Sequence, residues 1–168
     1  MVGPSLNDYK PLPNTDTHNC FGCSPNNSAG LQMKFFADKG SIVSWITVPE
    51  HLCGWNNIVH GGIISTICDE IMSWAGIYFL KQITLTKFVT IDFIKAIFVN
   101  NELRVEGKII DRNRKREAII EGTIYNHKEQ LCTKSIGTFA LLSPEVAKRM
   151  RIISDKNIKS FFEPLMRA

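Results

Sequence analysis

The chain has 168 residues, 44% of them hydrophobic, and 20 Lys and Arg against 16 Asp and Glu leave a formal net charge of +4. That length suits one domain with enough apolar residues for a core, which argues against disorder. The charge is mild and the basic residues are spread among acids, so an anionic ligand is tolerated but a nucleic-acid partner is not called for.

Cys20, Cys23, Cys53, Cys68 and Cys132 make an odd set of five. The opening "MVGPSLNDYKPLPNTD" has no apolar region of the kind a secretory signal needs. Both features point to free thiols in a reducing compartment, so a cytoplasmic location is expected. No apolar run reaches about 18 residues without a charge, so no membrane partner is expected.

Residues 1–30 are rich in Pro, Asn, Asp and Ser and read as an irregular lead-in. "LQMKFFA" and "SIVSWITV" are β-favouring runs joined by the turn "DKG". After the loop "PEHLCGWNN" comes "NNIVHGGIISTICDEIMSWAG", which runs on to about Leu80 and is long enough to be the one major helix. The texture then turns to β. "TKFVTIDFIKAIF" is followed by "LRVEGKII", which alternates with Leu103, Val105 and Ile109 on one face and Arg104, Glu106 and Lys108 on the other. "DRNRKRE" reads as a charged turn, and "AIIEGTIY" and "LCTKSIGTFALL" complete the set. The order is two strands, a helix and four strands, an α+β layer arrangement over residues 31–143. Residues 144–168 form a helical tail: Ser143 suits the cap, Pro144 the first turn and Glu145 the positive end, and "NIKSFFEPLMRA" is amphipathic enough to pack back.

Wound at about 100° per residue, the central helix gathers Ile63, Ile64, Ile67, Cys68, Ile71, Met72, Trp74, Ala75, Tyr78 and Phe79 on one half, the face for the sheet. The other half carries Ser65, Thr66, Asp69, Glu70, Ser73, Gly76 and Ile77. A solvated face favours long charged residues. This one is mostly small, which suits close approach of a partner or ligand to a central carboxylate, Asp69.

Gly61 and Gly62 stand at the helix start, where backbone N–H groups lack intrahelical partners. Without side chains they let a carbonyl oxygen or anion approach, and such donors can hold an oxyanion. A tight turn needing only glycine torsions is the simpler alternative. Gly61 and Asp69 are eight residues apart, roughly 12 Å along a helix. One reacting carbonyl cannot touch both within one chain. If both act on it, they come from two subunits related by a two-fold axis, and the protein is at least a dimer.

"HGGIISTICDE", preceded by "GW" and followed by strands ending in "GTFALL", resembles the hotdog-fold acyl-CoA thioesterases of PaaI-like type. The lead-in "CFGCSPNNSAGLQMKF" resembles that of many members, and the likeness spans roughly residues 18–142. The resemblance implies a long central helix wrapped by a curved antiparallel sheet of five to six strands, protomers joined as a homodimer that often pairs into a homotetramer, and sites at the dimer interface. It implies an acyl-CoA substrate and no cofactor. By position, Asp69 matches the catalytic carboxylate, as general base or as nucleophile forming an anhydride. Gly61 matches the glycine whose N–H polarises the thioester carbonyl. Ser73 matches a Ser or Thr that helps hold the lytic water in some members, and His60 shapes the turn or contacts substrate. Cys53 stands where Gln is usual, leaving Asn56 or Asn57 to bind the acyl carbonyl or a water, and Ala96 stands where Pro is frequent.

Other candidates are weaker. Glu70 is the fallback acid or a structural salt-bridge partner. Arg114 and Lys115, within "RNRKR", suit the phosphates of coenzyme A, against the simpler reading of a solvated turn. "CFGC" is half a zinc site at most; His18 and Cys53 could be recruited, but no metal is expected. Cys68 falls on the core face, and Trp55, Trp74, Tyr78 and Phe79 are either pocket walls or core. The main rival function is a hotdog protein that binds acyl-CoA or acyl carrier protein without hydrolysing it. A dehydratase would need a differently placed His, and a regulator would need an added DNA-binding domain.

Overall fold

A computed structural model describes residues 9–114 and 116–168. One antiparallel sheet contains β1 (Lys10–Pro11), β2 (Phe36–Ala37), β3 (Ile42–Thr47), β4 (Ile83–Phe93), β5 (Glu102–Arg114), β6 (Glu117–Asn126) and β7 (Leu131–Leu142). Their spatial order is β1-β2-β3-β5-β6-β7-β4. The sheet packs on one long helix, α1 (Gly61–Leu80).

Seven strands stand where five to six were expected. The extra one comes from the lead-in, where Lys10 and Pro11 pair with Ala37 and Phe36. A two-residue edge strand holding a proline has no alternation to read, and the edge is where a sheet tolerates proline. The charged segment after Ile110 also differs from expectation. Strand β5 runs on to Arg114 with register shifts between Ile109 and Asp111 and between Asp111 and Arg114, so bulged strand replaces most of the turn.

Ile64, Ile67, Cys68, Ile71, Met72, Trp74, Ala75 and Leu80 of α1 are buried, while Ile63, Tyr78 and Phe79 are half-buried at the margin. Helix and sheet approach closely at Gly107. A Cβ there would lie 2.6 Å from the backbone oxygen of Ile71, and Gly107 pairs with Gly122 on β6. Two facing glycines thus make a floor low enough for the helix backbone.

Lys81 ends α1 in the left-handed region at φ 56° and donates its N–H to the Ile77 carbonyl. The chain then returns along the helix as β4. Here Gly76 departs from expectation: it is buried, and a Cβ on it would lie 2.5 Å from Thr84 Cγ2 and 3.0 Å from Ile120 Cδ1. Strand β4 of the same chain therefore covers the last turns of the small-residue face.

Beyond the sheet come α2 (Pro144–Arg149), α3 (Asp155–Asn157), a π-helical stretch (Ile158–Phe162) and α4 (Glu163–Arg167). Ser143 caps α2 by accepting from the Val146 N–H at 3.3 Å, with Pro144 in the first turn. The tail packs back: Phe162 and Leu165 are buried, and Phe161 stands edge-on to Trp74 at 5.3 Å. It also meets the lead-in, through Thr17 and Ser160 at 2.8 Å and through Lys10, which donates to the Ala168 carbonyl. By length and composition α1 could cross a membrane, but it is the helix on which this sheet closes, and it carries Asp69 and Glu70.

Candidate active site

The amino end of α1 is set by His60. Its backbone is extended (φ −60°, ψ 135°) and its Nδ1 accepts from the Gly62 N–H at 3.0 Å, so the imidazole is the helix cap. The Gly62 donor is therefore used. The Gly61 N–H, first of the helix, has no acceptor among the described residues and is exposed. The nearest side chain to a Cβ placed on Gly61 is Phe93, at 3.8 Å. Asn56 and Asn57 are exposed in the preceding loop, Asn56 at φ 46°. That loop is anchored by backbone bonds, Val59 N–H to Ile97 oxygen and Val99 N–H to Asn57 oxygen, both 2.9 Å.

Asp69 is half-buried two turns along. Its Oδ1 accepts from Thr86 Oγ1 at 2.6 Å. Thr86 was missed in the sequence. One residue pair earlier in β4, Thr84 Oγ1 donates to the Ser73 carbonyl at 3.3 Å. Ser65 and Thr66 turn their hydroxyls back to the Gly61 and Gly62 carbonyls at 2.9 and 3.0 Å. Their small size, and not their hydroxyls, is what the open face presents.

Glu70 points elsewhere. It lies beneath the Cys20–Cys23 loop, with Cys20 Sγ 3.5 and 3.7 Å from its two carboxylate oxygens, and its Oε1 accepts from the Trp74 indole at 3.1 Å. Burial pushes Glu70 up to about 7, and the negative charge of Cys20 adds to this. The Cys23 thiol donates to Cys20 and brings it down to about 5 against the effect of burial, while Cys23 itself is pushed up. A cleft of about 260 Å³ opens beside this group, lined by Glu70, Ser73, Ile77, Leu85 and Phe161 among others. Asp69 and Glu70, adjacent in sequence, thus face different surroundings.

Cys68 is fully buried, and burial pushes its thiol up to about 11, so it is packing and not a nucleophile. Trp74 is core, stacked on Phe35 at 4.2 Å, whereas Trp55 is 85% exposed. Arg114 is described by its backbone, at the end of β5, and Lys115 lies outside the described residues.

Residues 56–133 match the model of the family described as the Thioesterase superfamily. The chain has the hotdog fold, and just under half of it matches that family. Among curated proteins none matches the sequence. Of solved structures, the E. coli PaaI protein from the phenylacetic acid degradation operon superposes with TM-score 0.60 at 19% identity, over 66% of this chain and 83% of that one. A hypothetical thioesterase with coenzyme A from Streptococcus pneumoniae TIGR4 does so with TM-score 0.57 at 21% identity, over 62% and 80%. A Streptococcus mutans UA159 protein bound to acetyl CoA reaches 0.59 at 18%, over 66% and 89%. At these identities the likeness is one of fold. The hotdog helix is α1, and the matched residues begin just before its cap.

Proposed function

We propose that the protein hydrolyses an acyl-CoA thioester to the free acid and coenzyme A. The observation that carries this reading is the pair of prepared groups on α1: an unpaired N–H at Gly61, and an Asp69 carboxylate held by Thr86. The thioesterase-superfamily match and the neighbours with bound coenzyme A support the choice of substrate.

In this mechanism the thioester carbonyl oxygen rests on the Gly61 N–H, at the positive end of the helix, where charge develops as the carbonyl becomes tetrahedral. Asp69 of the partner subunit takes a proton from water, whose oxygen bonds to the carbonyl carbon. Collapse of the intermediate breaks the C–S bond, and the thiolate leaves and takes up that proton. One water is consumed, and an acid and a thiol are released. Thr86 fixes the carboxylate rotamer, so a lone pair of the other oxygen faces the water.

Two subunits are needed because Gly61 and Asp69 lie eight residues apart on one straight helix, roughly 12 Å. The surface suits such pairing. Strand β4 is an eleven-residue edge strand, and Phe88, Phe93, Ile94 and Phe98 on or beside it are 65%, 56%, 50% and 45% exposed.

The test is thiol release from acetyl-, hexanoyl-, palmitoyl-, phenylacetyl- and benzoyl-CoA, with Asp69→Ala beside the wild type. We expect turnover of at least one ester by the wild type and a loss of about 100-fold or more in the variant, with its dimer intact. No release from any ester, together with binding by calorimetry, would replace hydrolysis with acyl-CoA binding.

A further inference from the structure

The lead-in and α1 meet at a cluster the hydrolytic reading does not use. We propose that Cys20, Cys23 and Glu70 form a binding site for one Zn²⁺ ion, with a water completing the coordination. One ligand atom from each of the three lies within 4.8 Å of the others. Tetrahedral zinc, with Zn–S of about 2.3 Å and Zn–O of about 2.1 Å, sets its ligand atoms some 3.5–3.8 Å apart. The separations of 3.5 and 3.7 Å between Cys20 Sγ and the Glu70 oxygens already have that size.

The surroundings are built for this arrangement. The Cys-x-x-Cys loop is pinned on both sides: Leu31 N–H donates to the Phe21 carbonyl at 2.8 Å, Met33 N–H to Gly22 at 3.0 Å, and Ser24 N–H to Cys20 at 3.1 Å. Gly22 is pressed onto the carboxylate so closely that a Cβ would lie 2.3 Å from Glu70 Oε2. The Trp74 indole holds Oε1, which leaves Oε2 toward the sulfurs; an outer hydrogen bond of this kind orients a metal-binding carboxylate. All five cysteines are free thiols, including this pair.

Charge points the same way. Among the described residues Glu70 has no ion pair with Lys, Arg or His. A carboxylate taken out of water without a cation is costly, and the negative charge of Cys20 adds to the cost. A divalent ion neutralises most of it. Binding takes both sulfurs as thiolates and Glu70 as carboxylate, sends whatever protons they still hold to solvent, and leaves a complex of net charge −1. Thiolates select zinc over magnesium or calcium.

The fourth position goes to water, because both His18 ring nitrogens are engaged: Nδ1 accepts from the Cys20 N–H at 3.3 Å, and Nε2 lies 2.9 Å from Asn14 Oδ1. The 260 Å³ cleft, which Cys20, Cys23 and Glu70 all line, gives that water room. Cys53 is not among the clustered ligand atoms; its backbone bridges to Val59. The sequence shows the two cysteines as half a site, and the fold supplies Glu70, forty-seven residues after Cys23.

The experiment uses the full chain, reduced and stripped with chelator, titrated with Co²⁺ and then Zn²⁺. We expect one equivalent of Co²⁺ to raise a thiolate charge-transfer band in the near ultraviolet, and one equivalent of Zn²⁺ to erase it. Competition with a chromophoric chelator should show Zn²⁺ affinity reduced at least 10-fold in Glu70→Gln and at least 100-fold in Cys20→Ser, each checked for folding by circular dichroism. Cys20 is only half-buried, so its serine variant should fold where a change at Cys23 need not. Absence of the band in the folded, reduced wild type would overturn the site, as would unchanged affinity in both folded variants. The spectra are read without substrate, so the result is independent of hydrolysis.

Discussion

Thr86 donates to Asp69 at 2.6 Å, taking one lone pair of the carboxylate and fixing its rotamer. Loss of that bond should misplace the proposed base without removing it. Thr86→Val, which keeps the shape, should lower kcat about 10-fold or more with little change in KM, and Thr86→Ser should restore most of it; steady-state thiol release with the best ester decides. The spacing after His60-Gly61-Gly62 marks Asp69 as a candidate, but nothing in the sequence marks Thr86, 17 positions beyond it in another element, as its partner. Two strand residues advance about 6.7 Å and four helical ones 6 Å, so a strand returning along a helix matches i, i+2 to i, i+4. Thr84 and Thr86 meet Ser73 and Asp69 in that register. Glu70 is likewise a residue whose neighbours only the fold reveals. Burial sets it near 7 against 4.5 for an ordinary Glu, with Cys20, Cys23 and Trp74 facing it. Because the folded value is the higher, its contribution to stability is full below pH 4.5 and is lost as pH rises through 7. Glutamine does not titrate. In chelator, the unfolding free energy of Glu70→Gln minus that of wild type should rise between those two pH values and then level, by about 3 kcal/mol at most. A flat difference would mean that Glu70 ionises as freely as on the surface.

At the scale of elements, the central contact is α1 against β5 and β6. Alternation in "LRVEGKII" sets Leu103 and Val105 inward and leaves Lys108 out, and "LCTKSIGTFALL" coincides with β7 (Leu131–Leu142). What alternation cannot carry is depth. Gly107 occupies an inward position in β5 where any side chain would strike the Ile71 carbonyl at 2.6 Å, and a helix backbone cannot yield as a side-chain tip can. Gly107→Ala should therefore cost about 3 kcal/mol and lower Tm by about 6–12 °C. Gly40→Ala makes the control. Its Cβ would meet nothing within 4 Å, and its φ is not positive, so the change should stay within about 0.5 kcal/mol. Calorimetry of the two variants separates close packing from the general effect of replacing glycine in a sheet protein. The two-residue β1 and the bulged end of β5 were illegible for another reason: both are held by tertiary pairing, with proline in one and a run of charges in the other.

For the whole molecule the question is whether one chain holds a complete site. The proposed mechanism requires Gly61 from one subunit and Asp69 from the other, and this can be tested without a structure of the dimer. Gly61 is the first residue of α1, where proline is favoured and where its missing N–H disturbs no helical bond. His60 before it is already extended at ψ 135°, the conformation a following proline requires. A Cβ at 61 makes only ordinary contact, 3.8 Å from Phe93. Gly61→Pro should thus delete the oxyanion donor and leave the fold, and Asp69→Ala should delete the base; each alone should be inactive. Mixed and allowed to exchange subunits, half of the dimers become hybrids. In a hybrid, one site joins the intact Gly61 of the Asp69→Ala chain to the intact Asp69 of the Gly61→Pro chain, and the other site has neither. Thiol release should return to about one quarter of the wild-type value. If Gly61 and Asp69 served the same substrate from within one chain, every chain in the mixture would lack one of them. No activity would then return, although native mass spectrometry showed hybrids.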